Sequence, residues 1–493
     1  MLEEQVTDRS VERVITGLGT VRGVQQDGVV VFHGIPYAAP PIAERRFAPP
    51  KAARAWSGVL DATRPAAIAP QSPSRVYASM GPVPGVQSED CLTLTVSLPH
   101  GPVTEAPVIV WFHGGGFATG GGALPWYDAS ALARHGFVVV AVNYRLGAAG
   151  FLALPGCLPG NFALLDEEAA LQWVQRHVAA FGGDPGRVTV MGQSGGAHNI
   201  ASLLTMPRAR GLFARAILMS PPLGIGLQPV AEAERNGSHF VEALGLHASD
   251  PDLLTRLRAT PVADMLDAQL KTAMAMGTMH QGNLCPPLRP TSLYPHEIAA
   301  DRLGSVAARN AAAWGVDVMI GWTREEAALF YFGHPMIAEM TDPQLADHAT
   351  FLFGSDAAAA LADIRRRWPD ATPGRHFLYL VTDASFRHPA LAFAGEMAEA
   401  GGNVFVYAFD WQSPCADLAA AHCLELPFVF GTRHAWRDAT IMQGANDAVV
   451  DRLSGDMIDR WTRFAASGDP GFASWHDGDR PVMHFDETSW LEQ

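Results

Sequence analysis

Ser194 stands in Gly192-Gln193-Ser194-Gly195-Gly196, between an apolar, β-branched run (188–191, VTVM) and a stretch with helical character (197–205). Strand, tight Gly-x-Ser-x-Gly turn, helix is the setting in which a serine hydroxyl is lifted out of the backbone as a nucleophile. In a chain with 48 glycines such a pentapeptide arises by chance about 0.2 times, so the reading needs partners. A serine hydroxyl is a poor nucleophile until a base takes its proton and a carboxylate orients that base. On such a turn the chain order should be Ser, acid, His, each after a later strand. The strand-like run 316–321 (VDVMIG) leads into Trp322-Thr323-Arg324-Glu325-Glu326, which offers two carboxylates. One would orient the base; the other would be the solvated, charged start of a helix. Of the later histidines, His334, His348, His376 and His388 precede the next strand, which this order disfavours. His422 follows the strand 403–409 and the loop 411–421, and stands before the apolar stretch 424–430. It is the candidate base, and His434, His476 and His484 read as surface residues.

The oxyanion of an acyl-transfer intermediate needs amide donors from the loop after an earlier strand. His113-Gly114-Gly115-Gly116-Phe117 follows the buried-strand run 107–112 (PVIVWF) and is placed for that role. Its glycines let the amides turn inward with no Cβ in the way. No Gly-Lys-Ser/Thr follows, so it is not a phosphate loop.

Positioning these residues requires a sheet. Strand-like runs at 107–112, 137–143, 188–191 and 213–220 alternate with helical stretches at 128–135, 164–181 and 197–205. That order predicts an α/β chain with a parallel sheet covered on both faces. A hairpin turning at Asp27-Gly28 is expected over 21–37. Helical insertions are expected over about 231–300 and 342–400, within a single domain covering 1–493.

The bulk composition narrows the partners. With 35 basic and 50 acidic residues the net charge is −15, which argues against nucleic acid and anionic membrane surfaces. The charged N-terminus and the lack of a long apolar run predict a soluble, cytoplasmic protein with no membrane partner. The five cysteines (Cys91, Cys157, Cys285, Cys415, Cys423) show no metal-type spacing, so free thiols and no metal are expected.

Beyond these elements the chain resembles the type-B carboxylesterases, the group with para-nitrobenzyl esterases and cholinesterases in the α/β-hydrolase superfamily. The resemblance runs through Phe32-His33-Gly34-Ile35-Pro36-Tyr37-Ala38, Arg46-Phe47, Ser88-Glu89-Asp90-Cys91-Leu92, the 113–117 loop and Asn143-Tyr144-Arg145-Leu146-Gly147. It continues through Phe181-Gly182-Gly183-Asp184-Pro185, the elbow and Glu425-Leu426-Pro427-Phe428-Val429-Phe430-Gly431. The resemblance implies an α/β-hydrolase fold, a central mostly parallel sheet flanked by helices, with the insertions forming a cap. It implies Ser194, Glu326 and His422 as the catalytic residues, oxyanion amides from Gly115, Gly116 and Gly195, and no cofactor. It also implies buried ion pairs Arg46–Glu89 and Arg145–Asp166, and Ser220 as a supporting serine near the acid.

Several departures bear on the substrate. The family's usual Gly-Glu-Ser-Ala-Gly is here Gly192-Gln193-Ser194-Gly195-Gly196, and Met219-Ser220-Pro221-Pro222 stands where Ser-Gly is common. Both resemble the bacterial phenylcarbamate hydrolase branch. The partner position of the family's first disulfide is Ala69, which leaves Cys91 unpaired. The expected substrate is a hydrophobic or aromatic ester, with Trp126, Trp322, Phe330, Tyr331, Met274, Met276 and Met279 as pocket candidates. A carbamate or amide hydrolase using the same triad is the alternative, and a non-catalytic adhesion or binding module is the remote one.

Overall fold

Strings of Val, Ile and Phe that are apolar at successive positions can only be strands if both faces of the sheet are covered. The computed structural model, which describes residues 10–15, 17–74, 76–275, 303–476 and 478–492, has that arrangement. The strands are β1 (Ser10–Ile15), β2 (Gly19–Gln26), β3 (Val29–Pro36), β4 (Val59–Asp61), β5 (Thr93–Pro99), β6 (Ala106–Phe112) and β7 (Val138–Val142). They continue with β8 (Ala153–Leu154), β9 (Leu158–Pro159), β10 (Gly183–Gln193), β11 (Arg215–Met219), β12 (Asp317–Thr323), β13 (Val404–Phe409), β14 (Val482–Phe485) and β15 (Trp490–Glu492). The main sheet runs β1-β2-β3-β5-β7-β6-β10-β11-β12-β13-β14-β15, with β4 beside β2. The stretch from β7 to β14 is parallel throughout, while β1, β2, β3 and β5 continue it antiparallel. The expected hairpin is β2–β3, turning at Asp27-Gly28.

Alternate side chains of each central strand enter different cores. Val108, Val110 and Phe112 of β6 join Val188 and Val190 of β10 on one face. Ile109 and Trp111 join Met191 and Met319 on the other. The helix Phe162–His177 covers the first face with Leu164, Leu171 and Val174, and Asp447–Ser467 covers the second with Leu453, Trp461 and Phe464. At roughly 25 cal/mol per Å² of apolar area, this two-sided burial is the main favourable term.

Over the described residues the insertions are largely helical. Val230–Ala243, Leu253–Ala259 and Val262–Ala275 form the first, whose remainder with Met276, Met279 and Cys285 lies outside the described residues. The second starts earlier than the spacing suggested, at the short helix Pro335–Glu339, and ends at His388–Glu399. Within it, Asp383–Arg387 forms a π-helical turn. Both expected ion pairs are present. Arg145 grips Asp166 through Nε and Nη2, each at 2.7 Å, in a fully buried setting. Arg46 grips Glu89 at 2.6 and 2.5 Å, and its Nη1 reaches the Arg258 and Thr260 carbonyls at the C-terminal end of the helix Leu253–Ala259. Among the described residues no helix is long and apolar enough to cross a membrane.

Candidate active site

In a parallel sheet the loops after the strands gather along one edge, and chemistry collects there. Four such loops converge: those after β6, β10, β12 and β13, carrying the 113–117 segment, Ser194, Glu326 and His422. Ser194 takes φ 55° and ψ −123°, a conformation that side-chain-bearing residues rarely adopt. Its amide donates to the Met219 carbonyl at 2.9 Å, and its carbonyl accepts from His198 N at 2.9 Å, so sheet and helix together hold the turn. The flanking glycines are required by contact. A Cβ on Gly196 would lie 2.1 Å from the Phe112 carbonyl oxygen, and one on Gly192 would lie 2.7 Å from Gly196 C.

His422 is buried, and its Nδ1 donates to Glu326 Oε2. The other Glu326 oxygen accepts from Thr323 N at 2.7 Å, so both are engaged. On the opposite edge of the imidazole, Gln193 Nε2 donates to His422 Nε2 at 3.2 Å. Nε2 is therefore the acceptor and the proton sits on Nδ1, the tautomer a general base needs. No hydrogen bond joins Ser194 Oγ to His422 in this arrangement; Gln193 occupies the base nitrogen. The Gln193 Oε1 accepts from Cys423 Sγ at 3.5 Å.

The two carboxylates at residues 325–326 differ in their contacts. Glu325 is not a solvated helix start: it is buried and accepts from Tyr379 Oη, Arg324 Nε and Ala420 N. It braces the loop after β12 against the one after β13. Ser220 reaches a neighbouring carboxylate. Its hydroxyl donates to Glu425 Oε1 at 3.3 Å and not to Glu326, because its own strand end faces the start of the helix Leu426–Val429. Glu425 was missed in the sequence, where it is simply the first letter of an apolar run. It is fully buried with Oε2 unpartnered. Burial, with the nearby Glu326 charge adding to it, pushes its carboxyl up to about 7. His376, set aside by chain order, is buried away from the site and donates to the Trp368 carbonyl.

Gly115 (φ 118°) and Gly116 (φ 60°) both need the left-handed region that favours glycine. A Cβ on Gly114 would lie 3.0 Å from Ser194 Cβ, and one on Gly195 would lie 3.2 Å from the Phe117 ring. The 113–117 loop is thus packed directly on the elbow. Among the described pocket candidates only Phe330 reaches the site, its ring 5.0 Å from that of His422, and Met276 and Met279 lie outside the described residues. Trp126 packs on Trp436, Trp322 lies under the Arg387 guanidinium, Tyr331 packs on Phe377, and Met274 is exposed. Phe386, from the π-helical turn, was missed and lies 5.2 Å from the His422 ring. Among the described residues, no grouping of three or more His, Cys, Asp or Glu side chains is arranged to hold a metal ion.

A family model described as the carboxylesterase family matches residues 10–490. The chain is 38% identical over 469 residues to a probable N-octanoylanthranilate hydrolase of Rhodococcus erythropolis, covering 94% of this chain and 95% of that one. It is 35% identical over 491 residues to the para-nitrobenzyl esterase of Bacillus subtilis, covering 97% and 96%. Identity to the phenmedipham hydrolase of Pseudarthrobacter oxydans is 34% over 467 residues, covering 92% and 90%. The solved carboxylesterase of Geobacillus stearothermophilus superposes with a TM-score of 0.85 at 31% identity, covering 98% of this chain and 97% of that one. With strained serine, buried acid–histidine pair and glycine loop at one sheet edge, this chain belongs to the carboxylesterase family.

Proposed function

We propose that this protein is a serine carboxylesterase acting on hydrophobic or aromatic carboxylic esters, with the whole chain working as one domain. Ser194 Oγ attacks the ester carbonyl while His422 Nε2 takes its proton, and Glu326 holds the imidazole and stabilises its cation. The amides of Gly115, Gly116 and Gly195 receive the oxyanion. Collapse of the intermediate breaks the C–O bond as His422 returns the proton to the departing alcohol. Water, activated by the same nitrogen, then releases the acid from Ser194. None of these steps calls for a cofactor. For the proton transfer Gln193 must yield the base nitrogen.

The observation that carries this reading is the Nδ1–H bond from buried His422 to Glu326, with its opposite nitrogen turned to the residue beside Ser194. Ser194→Ala should lower turnover of an aryl ester by several orders of magnitude and abolish labelling by a fluorophosphonate. Near-normal turnover in that variant would sink the mechanism. A second reading, hydrolysis of a carbamate or amide by the same residues, is favoured by Gln193. Its amide meets the very nitrogen that must protonate a departing amine. Similarity to the N-octanoylanthranilate and phenmedipham hydrolases points the same way. Turnover of an aryl ester, its anilide and a matched phenylcarbamate separates the two. The free thiols of Cys91, Cys157, Cys415 and Cys423 support a reducing, cytoplasmic setting, and the acidic balance supports small molecules as partners.

A further inference from the structure

Two successive carbonyls of the 113–117 loop are held from behind. The Gly115 carbonyl accepts three hydrogen bonds: from Ala118 N at 3.2 Å, Thr119 N at 3.0 Å and Thr119 Oγ1 at 2.9 Å. The Gly114 carbonyl accepts from His113 Nδ1 at 2.7 Å. The chain has no cis peptide among its described residues, and in a trans peptide the C=O and the following N–H point in opposite directions. A carbonyl tied to the Thr119 side therefore turns the amide of Gly116 the other way. The His113 bond does the same for the amide of Gly115. The other way is toward the elbow, because Gly114 abuts Ser194 and Phe117 abuts Gly195.

We infer that Thr119 is a positioning residue of the oxyanion hole, fixing the Gly115–Gly116 peptide plane through its hydroxyl, with His113 doing the same for the Gly114–Gly115 plane. The inference rests on the reading of Ser194 and the two glycine amides given above. The surroundings are built for it. Thr119 is buried, and a Cβ on Gly115 would lie 2.1 Å from the Thr119 carbonyl oxygen, so that residue must be glycine for the turn to close. A Cβ on Gly120 would lie 2.4 Å from His113 Nδ1, so glycine there keeps the imidazole on its carbonyl. His113 is itself stacked on Tyr144 with ring centroids 4.4 Å apart, and Tyr144 Oη donates to the His113 carbonyl at 2.6 Å. Donors aimed in advance cost no reorganisation when charge develops, which is where such sites gain most of their rate.

The test is Thr119→Val, which keeps shape and removes one donor, beside Thr119→Ser, which restores the hydroxyl. Removing an oxyanion donor outright costs about 100-fold to 1,000-fold in kcat, and loosening the plane that aims one should cost about tenfold. Expected is a kcat for an aryl ester lowered by about tenfold with KM within about twofold. Inhibition by a trifluoromethyl ketone, whose adduct places an oxyanion in the hole, should weaken by a similar factor. Both should return in Thr119→Ser. Unchanged kcat and unchanged inhibition in Thr119→Val would overturn the inference, as would a loss confined to KM. Should Thr119→Val fail to fold, His113→Phe, which keeps the ring on Tyr144 and removes the donor, is read by the same two measurements. Ser194→Ala run in parallel separates the failures. Turnover surviving there removes the acyl-enzyme reading and this inference with it, whereas turnover lost there but intact in Thr119→Val and His113→Phe removes this inference alone.

Discussion

At the scale of single residues, the site carries one carboxyl more than its chemistry uses. Glu425 is buried beside Glu326 with one oxygen unpartnered, and burial raises it from its ordinary 4.5 to about 7. A group raised in the folded state favours folding while protonated. That contribution is complete below its unfolded value and is lost as pH climbs through its folded value. The protein should therefore lose stability between about pH 4.5 and 7 on account of Glu425. Glu425→Gln should flatten the melting temperature over that window, as measured by calorimetry at matched ionic strength. Legibility in the sequence was uneven at this scale. Ser194 and His422 could be found because chain order restricts them. Spacing alone could not tell Glu325 from Glu326, since adjacent residues share it; the resemblance favoured Glu326, and the hydrogen bonds to Tyr379 and to His422 set the two apart. Glu425 left no signal, because a buried carboxyl inside an apolar run looks like a helix cap.

At the scale of elements, the strand–turn–helix around Ser194 is where side-chain size is most constrained. Gly196→Ala would drive a methyl into the Phe112 carbonyl of the neighbouring strand. Relief requires moving the helix Gly195–Leu203 off the sheet, an overpacking cost of roughly 1–3 kcal/mol or more. The expected outcome is a melting temperature lowered by several degrees together with a loss of kcat, read by thermal denaturation and ester turnover. The central strands were readable from composition because two-sided burial demands uninterrupted apolar runs. The π-helical turn Asp383–Arg387 was not readable, since its wider period lasts only five residues inside a longer helical pattern. One of its anchors is tertiary, the pairing of Asp383 with Arg367 of the helix Ala357–Arg367, while Arg387 and His388 face the same carboxylate locally. That is why Phe386 escaped notice while Phe330, four residues past Glu326, did not.

At the scale of the whole molecule, two buried arginines connect segments far apart in the chain. Arg145 binds Asp166 of the helix Phe162–His177 and the Ala48 carbonyl. Arg46 ties Glu89 to the C-terminal end of the helix Leu253–Ala259. Removing one partner of a buried pair strands the other charge at a cost of about 3–5 kcal/mol. Asp166→Ala should accordingly reduce the free energy of unfolding by that order, in denaturant titrations, with the ester kinetics of the surviving folded fraction little changed. These pairs were visible only through resemblance, since nothing in their spacing announces a contact.

The active centre itself is assembled across similar distances. Glu326 and His422 are 96 residues apart, and Gln193 and His422 are 229 apart. Contacts of such separation close late, after the entropy of long loops has been overcome. Recovery of ester turnover after dilution from denaturant is thus a clock for the slowest closures of the chain, and it should trail the return of helical signal.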